Sequence, residues 1–225
     1  MFLVSKTRVS TSSIIPKIPD NLFIICKEEY LKRKSTDLFP IHGVRNTTDN
    51  EVITFKGSVF SQLFSSPYDL ADYIVFKFIC NPQNLGYSEL NITPVIMSKN
   101  STTVKKYSGW GGNDLDLNSV NDLLSIQHLQ NYIERRRILS EEKVFKNDAF
   151  GVAYKIADFV DTFGTGPDLT VHFMIGNFID FYVPKISIAI TDTTEFQKYS
   201  TLAEFLKNSD MYNHGAECCP ITGTT

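Results

Sequence analysis

What this chain lacks narrows it first. No apolar run approaches the roughly eighteen residues that a membrane-spanning helix needs, and the opening Met1-Phe2-Leu3-Val4-Ser5-Lys6 is apolar for too few residues to read as a secretory signal. Positive charge is in short supply: 22 Lys and Arg stand against 25 Asp and Glu, a formal net charge of -3. Affinity for a nucleic-acid backbone needs concentrated positive charge, so neither a nucleic acid nor a membrane is an expected partner. Cysteine is sparse, with 4 residues and no Cys-x-x-Cys pair. Cys26 and Cys80 lie in apolar, strand-like runs and read as buried thiols. The adjacent Cys218 and Cys219 suit neither a mutual disulfide nor a metal. An intracellular, reducing compartment is expected. There is no Gly-x-Ser-x-Gly elbow, no phosphate-binding Gly-rich loop and no dinucleotide fingerprint, and no cofactor is expected.

What is present is a core-forming composition. Of the 225 residues, 42% are hydrophobic, and 17 Phe and 10 Tyr stand beside a single Trp. At this length roughly 70% of the extended-chain surface can be buried, so neither disulfide nor metal is needed for stability. The aromatic excess suits a thick core and adhesive contacts between subunits.

The stretch 147–190 organises the rest. Val152, Ile156, Phe159 or Val160, and Phe163 recur at helical spacing and stop at Gly164-Thr165-Gly166-Pro167, which predicts a helix over about 148–163. Leu169, Val171, Phe173 and Ile175 then alternate with Thr170, His172 and Met174. Gly176-Asn177 suits a tight turn into a return strand from Phe178 to Ile190 that is covered on both faces. Earlier in the chain, Leu22–Cys26 reads as a short strand followed by a polar helical turn over Lys27–Lys34. Glu51–Phe55 reads as a strand, Ser58–Phe64 as a short helix, and Tyr73–Cys80 with Leu90–Met97 as a hairpin whose Pro94 marks an edge or bulge. A second main helix is predicted from Ser119 to about Ile138, and a last short one at Leu202–Leu206. The expected fold is α+β, one domain, with antiparallel hairpins at about 73–97 and 169–190 packed against helices at about 119–138 and 148–163. An extended Ser/Thr-rich arm (1–20) precedes this domain (21–207), and a polar tail (208–225) follows it.

Candidate chemistry is thin. Asp114 and Asp116 follow Gly109-Trp110-Gly111-Gly112 and could hold a divalent cation for nucleotide handling, though Asp and Asn in such a loop also supply turns and helix-start charge. Arg135, Arg136 and Arg137 could clamp a phosphate or carboxylate. Consecutive residues point around a helix, however, and complementing its dipole explains them as well. Ile41-His42-Gly43-Val44-Arg45 resembles the start of some ADP-ribosyl-transfer folds, where such a His would bind the nicotinamide ribose; no matching Tyr strand or closing Glu follows. His128, His172 and His214 have no metal spacing, and His172 reads as a hydrogen-bonded structural residue.

These features favour a non-enzymatic, self-assembling structural protein, such as a viral shell or occlusion-type component, whose arm and tail pack on neighbouring copies. An arm and tail packed on their own subunit, or a monomer at tens of micromolar, would remove such an assembly. The alternative is an intracellular partner-binding module such as a toxin inhibitor, its mild acidity suiting a basic partner. A third is a divalent-metal-dependent nucleotide-handling enzyme built on Asp114 and Asp116.

Overall fold

The computed structural model describes residues 15, 17–34, 49–64, 72–82, 88–97, 103–106, 151–176, 185–208 and 216–217. Two antiparallel sheets meet across a shared core. Strands β1 (Val52–Phe55), β6 (Leu169–Gly176) and β7 (Lys185–Asp192) form one, in the order β1-β6-β7. In the other, β2 (Tyr73–Pro82), β3 (Ser88–Met97), β4 (Thr103–Lys106), β5 (Gly151–Lys155) and β8 (Ala216–Glu217) run in the order β4-β3-β2-β5-β8. Helices α1 (Asp20–Lys34), α2 (Gly57–Leu63), α3 (Ile156–Phe163), α4 (Thr193–Gln197) and α5 (Leu202–Asn208) complete the described elements. The fold is α+β, as the pattern of antiparallel hairpins with packing helices predicts.

The strands bury what their period-2 pattern dictates. Ile74, Phe76 and Phe78 of β2 face Phe55 of β1 and Phe173 of β6, with Phe55–Phe76 and Phe78–Phe173 ring centroids each 6.2 Å apart. Helices α2 and α3 add Phe60 and Phe159, whose centroids lie 5.6 Å apart against Phe76 and Tyr154. This aromatic knot is where much of the stability resides, since truncating one fully buried Phe costs about 3–5 kcal/mol. The opposite face of the three-stranded sheet carries Met174 and Ala189, covered by Phe23 and Cys26 of α1 and Phe205 of α5.

The structure corrects the sequence reading at three places. Leu22–Cys26 is helical, within α1, because Phe23, Cys26, Lys27 and Tyr30 are the buried set, at helical and not strand spacing. The predicted 148–163 helix starts only at Ile156. Before it, β5 inserts beside β2 with Val152 opposite Phe76, and Gly151 fits there because a Cβ would lie 2.4 Å from the Phe76 carbonyl oxygen. Lys155, extended, turns the chain from strand to helix, and Gly164 at φ 72° ends the helix in a region that favours glycine. A two-residue turn at Gly176-Asn177 is excluded, since Gly176 pairs with Lys185 and the connection spans 177–184. The return strand over its described part does bury both faces, through Ile186, Ile188 and Ile190 on one side and Ala189 and Thr191 on the other. Pro94 pairs with Phe76 within β3, and the described β4 ladder begins one residue later, at Val95. The predicted helix over 119–138 lies outside the described residues.

Both chain ends, where described, dock on the chain's own body. Ile15 and Ile18 are buried, and the Ile15 N–H donates to Thr162 Oγ1 at 2.9 Å. Near the other end, β8 pairs antiparallel with β5.

Candidate functional site

A buried polar cluster lies under α1. Lys27 projects from the buried face of that helix, and its Nζ donates to the main-chain oxygens of Glu51 at 2.6 Å and Phe173 at 3.2 Å. The ammonium stands 5.5 Å from the Tyr30 ring centroid, and the Tyr30 hydroxyl donates to the Asn50 carbonyl at 2.7 Å. Asn50 Nδ2 in turn donates to Leu90 O, and Asp49 Oδ1 accepts from Leu90 N, each at 2.8 Å. Two side chains thus stand in for a strand at Leu90 and tie α1 and β1 to the five-stranded sheet.

His172, one strand position from Lys27's carbonyl partner, is 1% exposed. Its ring meets Phe23 and Phe196 edge-on, at centroid distances of 5.7 and 4.9 Å. Nε2 has no hydrogen-bond partner, contrary to the hydrogen-bonded histidine that the sequence predicts. Burial, and secondarily the Lys27 charge, push its pKa down to about 3, so the imidazole is neutral and weakly basic. Burial also pushes the Cys26 thiol up to about 11 and raises the pKa of the Tyr154 phenol, whose hydroxyl has no partner in the aromatic core.

The remaining buried or shielded polar groups fasten elements together. Asp168 accepts from the Gly57 N–H at 2.8 Å and from Lys56 Nζ at 2.9 Å, which hold its carboxyl below the usual range. Thr54, Thr170 and Thr193 form a hydroxyl chain across β1, β6 and α4, with spacings of 3.2 and 2.9 Å. Asp192 caps α4 by accepting from Thr194 N and Glu195 N. Among the described residues no three His, Cys, Asp or Glu gather as metal ligands. None of their helices is long and apolar enough to cross a membrane.

The second candidate is an edge. Phe173 N donates to Glu51 O, which fixes the hydrogen-bonded pairs of this ladder as 51/173, 53/171 and 55/169. The N–H and C=O groups of Val52 and Thr54 therefore point away from β6, off the outer edge of the sheet. Val52 is 42% exposed there. The opposite edge differs: Thr193 N donates to Asp168 O, so Ile186, Ile188 and Ile190 carry the outward groups of β7, and all three are buried.

Sequence reasoning missed Lys27, Asp49 and Asp168. Asp114, Asp116, Arg135, Arg136, Arg137, His42, His128 and His214 lie outside the described residues; His172 sits on the covered face of β6. No family model matches the chain, and no curated protein and no solved structure is significantly similar to it.

Proposed function

We propose that this chain is a non-enzymatic structural protein that associates with copies of itself. The carrying observation is the outer edge of β1, where, among the described residues, the main-chain groups of Val52 and Thr54 that point away from β6 and the half-exposed Val52 end a sheet that is otherwise deeply packed. An exposed edge strand is a template for another strand. The polar groups near β1 suit the non-enzymatic part of that reading, since Lys27, Asp49 and Asp168 each hold main-chain groups of neighbouring elements. A shell or occlusion-type component is the kind of protein this reading suits. We do not place the association in exchanged ends, because Ile15, Ile18 and β8 dock at home.

Light scattering behind size exclusion, run at tens of micromolar, tests the proposal. A dimer or larger assembly is expected. A monomer at those concentrations overturns it and shifts the weight to a module that binds a different partner.

A further inference from the structure

The geometry points to a two-fold pairing of β1 with β1 of a second copy, centred on Ile53. This rests on the self-association reading and specifies its surface. Residues opposite each other in an antiparallel ladder must both point their N–H and C=O groups into that ladder. On the outer edge of β1 those residues are Val52 and Thr54. Pairing Val52 with Thr54 of the second copy, and Thr54 with its Val52, exchanges four N–H···O bonds and uses every outward group of the strand. Ile53 then faces its own symmetry mate. Sliding the register by two residues in either direction replaces one of these pairs with Asn50 or Lys56 and leaves the two-fold on a single outward residue.

Side chains agree with this register. A two-fold axis perpendicular to the sheet keeps the faces matched, so the apolar face of β1, with Ile53 and Phe55, continues into that of its mate. The half-exposed Val52 gains a β-branched neighbour in Thr54. Glu51 falls opposite Phe55 and Asn50 opposite Lys56, so no like charges oppose each other. The product is a continuous sheet in the order β7-β6-β1-β1-β6-β7. Among the described residues, the buried outer residues of β7 leave β1 as the edge of this sheet that meets solvent.

Val52→Pro removes an outward N–H and leaves the ladder bonds to β6, made by residues 51, 53 and 55, in place. It is expected to weaken dimerisation at least about tenfold, since by symmetry two interchain bonds are lost. The folded monomer, followed by circular dichroism, should persist. As a second arm, mixing Val52→Cys with Thr54→Cys chains is expected to give a disulfide-linked dimer through those two positions. Hydrogen-bonded pairs place Cα atoms about 5.5 Å apart, within disulfide reach, and mass spectrometry of the linked peptide identifies the bond. An unaltered chain that is monomeric overturns the self-association reading and this pairing with it. A dimer that survives Val52→Pro and gives no 52–54 link overturns the pairing alone.

Discussion

Lys27 of α1 donates to the main-chain oxygen of Glu51 at 2.6 Å, a bond that fixes the helix over the point where β1 joins β6. The same ammonium reaches Phe173 O at 3.2 Å, so one buried charge bridges both strands. Lys27→Met keeps the aliphatic stem and removes the donors. The expected loss is about 1–3 kcal/mol, the cost of leaving buried carbonyls without their charged partner. Urea unfolding should show a lower midpoint with an unchanged slope.

His172 makes stability depend on acidity in a defined direction. Its folded pKa of about 3 lies below the ordinary value of 6.5, so the fold prefers the neutral ring and the unfolded chain binds the proton more readily. The contribution is fully present above pH 6.5 and is lost as pH falls toward 3. From pH 7 to pH 5 the expected loss is about 2 kcal/mol. Lys27 is the charged group that acts on the ring from the packed helix, and Phe23 and Phe196 cover it from α1 and α4. His172→Leu should flatten the pH 7 to pH 5 difference in unfolding free energy. An equally steep variant would show that another group is responsible.

How far the sequence discloses this molecule depends on what sets each element. Strands β2, β3 and β6 are legible because alternation survives in them: Ile74, Phe76 and Phe78 mark the inner face without help from elsewhere. Helix α1 is not, because Leu22-Phe23-Ile24-Ile25-Cys26 is uniformly apolar and a lysine occupies a core position at 27. A helical pattern is hidden when its buried face carries a charge and its exposed face carries Ile25, which is 50% exposed. The β5–α3 boundary fails for a different reason. Val152 and Ile156 fit a helix stripe and a strand-to-helix junction alike, and only the ladder to β2 decides. The edge of β1 was visible as a strand, but which of its groups face outward follows from register, which a single chain does not encode locally.

Asp168 joins the α3–β6 connection to the start of α2 by accepting from the Gly57 N–H and from Lys56. Its pKa is lowered chiefly by the Gly57 bond and then by Lys56, so the stabilisation is present above the usual carboxylate range and is lost on acidification. Asp168→Ala should cost about 1 kcal/mol, the usual loss for a helix-start carboxylate. Asp168→Asn, which keeps an acceptor, should cost less. Thermal unfolding at pH 7 orders the two, and the pair with Lys56, being largely exposed, should weaken with added salt.

Gly57 and Gly166 come together at that same junction, yet they answer differently to a methyl group. A Cβ on Gly57 would lie 1.7 Å from the Gly166 carbonyl oxygen and 2.5 Å from its carbon, whereas a Cβ on Gly166 would meet nothing within 4 Å. The obstacle to Gly57 is backbone. It is held in place by Asp168 on one side and by Ser61, whose Oγ donates to Thr165 O at 2.6 Å, on the other. It cannot yield as a flexible side chain would. Alanine gains about 0.5–1 kcal/mol over glycine in a helix, but overpacking of this kind typically costs about 1–3 kcal/mol and here exceeds that gain. Gly57→Ala should therefore destabilise the fold, while Gly166→Ala should stay within about 0.5 kcal/mol of the unaltered chain. Denaturant midpoints of the two variants side by side decide it: equal midpoints would show that α2 does not start against the 164–167 connection.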